Sequence, residues 1–492
     1  MSAARVLRRG IAVALLIAGT SSAHAAGAPA AAPAAPATRT AAAKALEGTW
    51  QGRLANLRIV LHLRAAPDGT LAGSLDSPDQ GATGLHVDAV MVQGDTLRLD
   101  MHSIGAGFSG AVEKGGAVIA GQWSQNAMTM PLTLRRGEGV AETRKPQEPV
   151  PPLPYEAKEV TYENPKAKIR FAGTLTIPEG LGPFPAVLLL SGSGPEDRDE
   201  AVFGHRPFLV LSDYLTRRGI AVLRVDDRGV GGSTGSLSGA TMNDLVDDAL
   251  CGVEYLRGRD GIDPRRIGLI GHSEGGMVGP AAALRSNGAV SFLVLLAAPG
   301  VPGDSLILMQ SAALQRASGV PEAEIARDQG LASKIYATLK APGDSATVAP
   351  IVRDLLVQIF APMTDEQARA AGGRDKIVAN QLRVLLSPWY RFFLAYDPRP
   401  ALTQVRCPVL AVNGEKDRQV PVRENLAGIE AALRAGGNPD ATIRALPRLN
   451  HLFQTCELGT VAEYATLDET FAPAALDTLG NWIAQRTGAK KP

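Results

Sequence analysis

Cysteine is scarce in this chain: Cys251, Cys407 and Cys456 are the only three in 492 residues. That number excludes a disulfide-stapled scaffold. One bridge could form in an oxidising compartment, with Cys407–Cys456 as the pairing to test, and Cys251 is expected on a buried helix face. Charge imbalance is also missing. Lys and Arg number 50 against 49 Asp and Glu, a formal net charge of +1. Neither nucleic acid nor an anionic surface is therefore an expected partner. Aromatics make up only 5% of the chain. No apolar run is long enough to span a bilayer, so no stable membrane insertion is expected. Histidine is sparse too, at seven residues.

What is present divides the chain into distinct regions. Arg5, Arg8 and Arg9 precede a short apolar stretch, Ile11 to Gly19, and Ala23-His24-Ala25 is an A-x-A cleavage site. The pattern predicts a secretory signal peptide over 1–25, and so a bacterial periplasmic or secreted protein. Residues 26–44 are rich in Ala and Pro without apolar periodicity, which predicts a disordered tether. Residues 45–136 carry eight short alternating runs, from Thr49–Leu54 through His86–Val92 to Met130–Leu134, separated by turns such as Pro67-Asp68-Gly69. They predict a small antiparallel β domain, a sandwich or barrel. Residues 137–154 are polar and proline-rich, as in a linker. From residue 155 strand and helix patterns alternate. Ala186–Leu190 and Ala221–Val225 are continuous apolar runs, as expected of buried parallel strands. The class is α/β, a mostly parallel sheet covered by helices over 155–298 and 401–492. Residues 299–400 hold helical patterns but no strand. At roughly a hundred residues they are too long for a loop and predict a helical cap insertion.

The most informative segment is Gly271-His272-Ser273-Glu274-Gly275. An apolar strand pattern, Arg266 to Ile270, precedes it and a small-residue helical pattern follows. G-x-S-x-G in that setting is a nucleophile elbow: a strained turn that lifts a serine hydroxyl off the sheet edge. Such a serine needs a base, and the base needs an orienting acid. His451 is the one histidine downstream of Ser273, so it is the candidate base if the order is serine, acid, histidine. Asp417, in Gly414-Glu415-Lys416-Asp417 after an apolar strand, is the favoured acid. Asp304 is the runner-up, Glu415 comes early in the turn, and Asp397 precedes the strand. The developing oxyanion needs two backbone donors. The Glu274 amide and the Ser193 amide, in Ser191-Gly192-Ser193-Gly194, are chosen. A second G-x-S-x-G, Gly231 to Gly235, lacks a directly preceding strand and is read as scaffold, with Arg228 expected to form an ion pair near the oxyanion loop.

Several segments together resemble the α/β-hydrolase superfamily, and more closely its bacterial esterase and serine-aminopeptidase-like branch. They are Ser-Gly-Ser-Gly-Pro at Ser191–Pro195, Asp-Asp-Arg-Gly-x-Gly-x-Ser at Asp226–Ser233, Gly-His-Ser-Glu-Gly-Gly at Gly271–Gly276, Gly-Glu-Lys-Asp at Gly414–Asp417, and Asn450-His451. The likeness runs from about Tyr155 to the C-terminus. It implies an acyl-enzyme hydrolase with Ser273, Asp417 and His451 as triad, needing no metal or cofactor. The His-Gly-Gly-Gly oxyanion motif of many lipases and esterases is absent.

An ester is the first expected substrate, and a short peptide or amide the second. For the latter, Glu196, Asp197 and Asp199 beside the oxyanion loop are the candidate ammonium site, against their plainer reading as a solvated acidic loop. Pro388-Trp389-Tyr390-Arg391-Phe392-Phe393 concentrates aromatics within the cap, as core or as the wall of an acyl pocket. A non-catalytic binding protein on the same scaffold is the third reading. Composition does not determine the oligomeric state.

Overall fold

The computed structural model describes residues 44–490, apart from 55–56, 67–69, 78–81, 102–105, 114, 126–127, 138–143, 238, 366–367 and 369–372. The expected leader, the tether up to residue 43 and the turn Pro67-Asp68-Gly69 lie outside the described residues.

The first region is a nine-stranded antiparallel sheet: β1 (Gly48–Leu54), β2 (Leu57–Ala65), β3 (Leu71–Ser77), β4 (Ala82–Val87), β5 (Ala89–Gln93), β6 (Thr96–Met101), β7 (Ala106–Val112), β8 (Val118–Gln125) and β9 (Met128–Arg136). Alternation decides which side is buried: along β6, Leu97, Leu99 and Met101 are buried while Arg98 is exposed. Trp50 faces Leu61 across β1/β2, and Trp123 faces Phe108 across β7/β8. All four are buried in one apolar cluster. The strand order is β4-β3-β2-β1-β9-β8-β7-β6-β5. β4 and β5 stand at opposite ends of that order, yet only Asp88 separates them in sequence. The sheet therefore curls until its ends meet, with β3 near β5 and β4 near β6. The alternating run His86–Val92, expected as one strand, is thus divided at Asp88 between the two edges.

The expected linker is docked over its second half. The Gln147 amide group donates to the Phe471 carbonyl at 2.7 Å and accepts from the Thr470 and Phe471 amides.

The second sheet has the order β10-β11-β13-β12-β14-β15-β16-β17. Its strands are β10 (Tyr155–Asn164), β11 (Ile169–Pro178), β12 (Phe184–Leu190), β13 (Ala221–Val225), β14 (Ile262–His272), β15 (Phe292–Leu296), β16 (Val409–Gly414) and β17 (Ala441–Leu446). β10/β11 and β11/β13 are antiparallel, and every later pair is parallel. Both faces are buried. Along β12, Leu188 joins one apolar cluster while Val187 and Leu189 join the other. Helices α1 (Pro207–Thr216) and α11 (Pro473–Thr487) cover the Val187 face. Helices α2 (Met242–Arg257), α3 (Gly275–Arg285) and α10 (Val422–Ala435) cover the Leu188 face. α3 continues through Pro280, which leaves the Gly276 carbonyl without its usual helical donor.

Between β15 and β16 lie α4 (Gly303–Ala317), α5 (Glu322–Lys340), α6 (Ser345–Phe360), α7 (Arg374–Leu385), α8 (Pro388–Ala395) and α9 (Arg399–Leu402), and no strand among the described residues. α8 begins with Ser387, whose hydroxyl accepts from the Tyr390 amide, and Pro388 occupies the first helical position, where no amide donor is needed. The three cysteines are all free, so the Cys407–Cys456 bridge is not formed; Cys251 sits half-buried on α2. Among the described residues no helix is long and apolar enough to cross a membrane.

Candidate active site

The turn from β14 into α3 is sharp. Ser273 has a φ of 51°, in the left-handed region that a non-glycine residue enters only under constraint. Its amide donates to the Leu296 carbonyl at 2.8 Å, which ties the turn to the neighbouring strand. The flanking glycines are required by space. A Cβ on Gly271 would lie 2.1 Å from the Gly275 carbonyl oxygen, and one on Gly275 would lie 2.3 Å from that of Leu190. Ser273 is partly exposed, while His272 and Glu274 on either side are buried.

Asp417 and His451 follow β16 and β17, which are adjacent parallel strands, so both emerge at the same edge of the sheet as Ser273. The His451 Nδ1–H donates to Asp417 Oδ2 at 2.7 Å, and both side chains are almost wholly buried. The second Asp417 oxygen accepts from the amides of Gln419 and Val420, both at 2.8 Å. Three donors therefore hold one carboxylate in place. The loop carrying His451 is fixed by Asn450, whose side-chain oxygen accepts from the Leu452 and Gln454 amides. The other acids lie elsewhere. Asp304 pairs with Lys340 inside the cap, and Asp397 pairs with Arg399. Glu415 is exposed.

The segment after β12 runs beside the elbow. A Cβ on Gly192 would lie 3.6 Å from the Ser273 Cβ. The Gly192 amide is occupied, donating to Glu200 Oε1 at 2.7 Å. The Ser193 and Glu274 amides donate to no other group of the described residues. Asp227 holds this segment from below: it accepts from the Ser191 hydroxyl at 2.9 Å and from the Glu196 amide at 3.0 Å. Burial pushes its carboxyl up to about 8, against the lowering effect of those two donors. Arg228, expected near this loop, instead pairs with Asp248 and Asp244 on α2. The ion pair at the loop is made by Arg198 with Asp226, at 2.8 Å.

The second G-x-S-x-G lies in a turn after β13. The Ser233 hydroxyl donates to the Asp226 carbonyl at 2.8 Å and accepts from the Ala172 amide at 2.9 Å. Both of its hydrogen-bonding roles are structural.

The acidic loop is mostly committed to its own backbone and to arginine. Asp197 accepts from the Asp199 and Ala201 amides, and Asp199 pairs with Arg224. The aromatic segment of the cap is divided. Tyr390 and Phe393 are core. Trp389 is half-buried, stacks on Phe393 and donates its indole N–H to Glu274 Oε1 at 2.8 Å. Burial pushes the Glu274 carboxyl up to about 7, opposed by that donor. The cap thus reaches the residue that follows Ser273, a contact no sequence spacing announces. Glu200 and His272 also meet here, although the pattern marked neither: the motif named His272 only by position, and Glu200 stood as one more acid.

The model of the alpha/beta hydrolase family matches residues 187–463, more than half of the chain. Esterase EstD of Thermotoga maritima is 26% identical over 337 residues, covering 68% of this chain and 69% of that protein. Among solved structures, an esterase of Pyrococcus furiosus aligns with a TM-score of 0.41 at 16% identity, over 68% of this chain and 92% of that one. A proline iminopeptidase of Mycobacterium smegmatis aligns with a TM-score of 0.39 at 17% identity, over 67% and 99%. With this sheet order, this elbow and a family match over most of the second domain, the chain belongs to the alpha/beta hydrolase family.

Proposed function

We propose that this chain is an exported serine carboxylesterase acting through Ser273, His451 and Asp417. The observation that carries the reading is the buried 2.7 Å bond from His451 to Asp417 at the sheet edge where Ser273 stands on its strained turn. Nδ1 of His451 is occupied by Asp417, which leaves Nε2 as the group to take the serine proton. Ser273 Oγ attacks the ester carbonyl carbon as His451 takes its proton. The carbonyl oxygen becomes an oxyanion facing the Glu274 and Ser193 amides. Collapse expels the alcohol, which receives the proton from His451. Water, deprotonated by the same imidazole, then releases the acid from the acyl-serine. No step calls for a metal or cofactor. Export rests on the basic, apolar and A-x-A pattern of residues 1–25, which also makes the periplasm or the medium the expected location.

Esters rank ahead of amides because Asp197 and Asp199 are already engaged, so two of the three acids considered for an ammonium group are not free. The test compares kcat/KM on short-acyl p-nitrophenyl esters and aminoacyl p-nitroanilides with the mature protein. Ester turnover well above anilide turnover is expected. The reverse order would make it a peptidase.

A further inference from the structure

His272, next to the nucleophile, has an acceptor on each side of its ring. Nδ1 lies 2.8 Å from Glu200 Oε1, and Nε2 lies 3.1 Å from the backbone oxygen of His451. A neutral imidazole has one N–H and one bare nitrogen, so it satisfies only one acceptor. With the proton on Glu200, Oε1 would have to donate to Nδ1 and also accept from the Gly192 amide, whereas a carboxylate oxygen accepts from both as a charge-assisted partner. A hydroxyl oxygen there would be the poorer acceptor. Both side chains are almost wholly buried, at 6% and 5% exposure, so no water shell substitutes for a missing proton. Glu200 also stands at a φ of 52°, a left-handed conformation that is unfavourable for a glutamate and persists only where surrounding contacts hold it.

We propose that His272 is held as an imidazolium against the Glu200 carboxylate, and that this buried ion pair clamps the oxyanion loop to the loop that carries the catalytic base. The pair joins three segments. Glu200 grips the loop through the Gly192 amide, one residue before the Ser193 donor. His272 belongs to the elbow, and its second N–H grips the His451 backbone. The rings of His272 and His451 lie 4.8 Å apart between centroids. Glu200, His451 and Asp417 are the titratable groups facing His272. Burial opposes charge on His272, and Glu200 together with the bonds to Glu200 and His451 outweighs it, so its pKa lies above the ordinary value. His205 provides the contrast. It is also buried, but its partners are the Thr470 hydroxyl, able to donate, and the Tyr464 carbonyl. A neutral ring satisfies both. Burial, with Lys145 nearby, pushes its pKa down to about 4.

Glu200 and His272 are positioning residues, and their kinetic role rests on the reading of Ser273 and His451 given above. The charge state does not, so it is measured apart from activity. Nitrogen-15 spectra of histidine side chains would be recorded at pH 8 on the mature Ser273→Ala protein, with signals assigned by single His→Gln variants. His272 should carry a proton on both ring nitrogens, and His205 on one. A bare ring nitrogen on His272 overturns the proposal, whatever the enzyme's substrate. The kinetic arm uses Glu200→Gln in the active protein. A Gln oxygen facing Nδ1 leaves the neutral ring bare toward His451, and a Gln nitrogen facing Nδ1 releases Gly192, so one bond is lost either way. The expected result is about a tenfold to hundredfold fall in kcat with KM within twofold, the loss of a displaced rather than deleted oxyanion donor. Unchanged kcat in a folded Glu200→Gln protein would equally overturn the clamp. If that variant does not fold, the spectra alone decide.

Discussion

Two segments of this chain carry the same five-residue pattern with opposite outcomes. At Gly271–Gly275 the serine sits between the end of a buried parallel strand and the start of a helix, at positive φ. At Gly231–Gly235 the serine hydroxyl lies inside a turn and bonds the backbones of Asp226 and Ala172. The difference teaches that the motif takes its geometry from its flanks. A strand that ends one residue earlier, and a helix that begins two later, set the serine on a positive-φ turn and leave the next amide without a partner among the described residues. Without them the same serine serves as a turn fastener.

Substitution sharpens this contrast, beginning with the largest effect. Ser273→Ala should lower kcat on an ester by about 10⁵–10⁶-fold with the fold intact, as loss of a serine nucleophile does elsewhere. Asp417→Asn should follow at about 10⁴-fold, because an amide in place of the carboxylate selects the wrong His451 tautomer. Ser233→Ala should invert the pattern. It strands the Ala172 amide and the Asp226 carbonyl, so denaturant titration should register a loss of about 1–3 kcal/mol, while kcat/KM per folded enzyme stays close to the parent. A large, specific loss of catalysis at Ser233 would break the comparison. The smallest effect concerns the residue after each serine, Glu274 in one and Thr234 in the other. With its carboxyl pushed up to about 7, Glu274 is mostly neutral below that pH and ionised above it. Negative charge beside an oxyanion donor disfavours the transition state. The ratio of kcat/KM for Glu274→Gln to that of the parent should therefore rise across pH 7, by about threefold to tenfold for roughly 1 kcal/mol of repulsion. A flat ratio from pH 6 to 9 would remove Glu274 from the electrostatics of the site.

Legibility in the sequence follows the range of the interaction. The strand Ala221–Val225 was readable because its continuous apolar run is a local signal. The common placement of Ser273, Asp417 and His451 was readable because each lies just past a strand of one parallel sheet, and parallel order collects such ends at one edge. Partner choice across the fold was not readable. Arg228 has several acids within reach in sequence, and the packing of α2 against β14 gives it Asp248. Gln147 reads as a linker residue until the backbone at Thr470 and Phe471 comes to meet it. Asp88 divides an unbroken alternating run because the sheet has to close, a global demand with no local mark. Glu200 was hidden among neighbouring acids. Its distinction is a left-handed backbone and two donors on one oxygen, neither visible in residue order.

The central claim is that one of these two serines is activated and the other is not. It is tested most directly by treating the mature protein with a fluorophosphonate and locating the adduct by peptide mass spectrometry. The account predicts one adduct per chain, on the peptide containing Ser273, abolished by His451→Ala. Absence of labelling in folded protein, or an adduct on the Ser233 peptide, would contradict it.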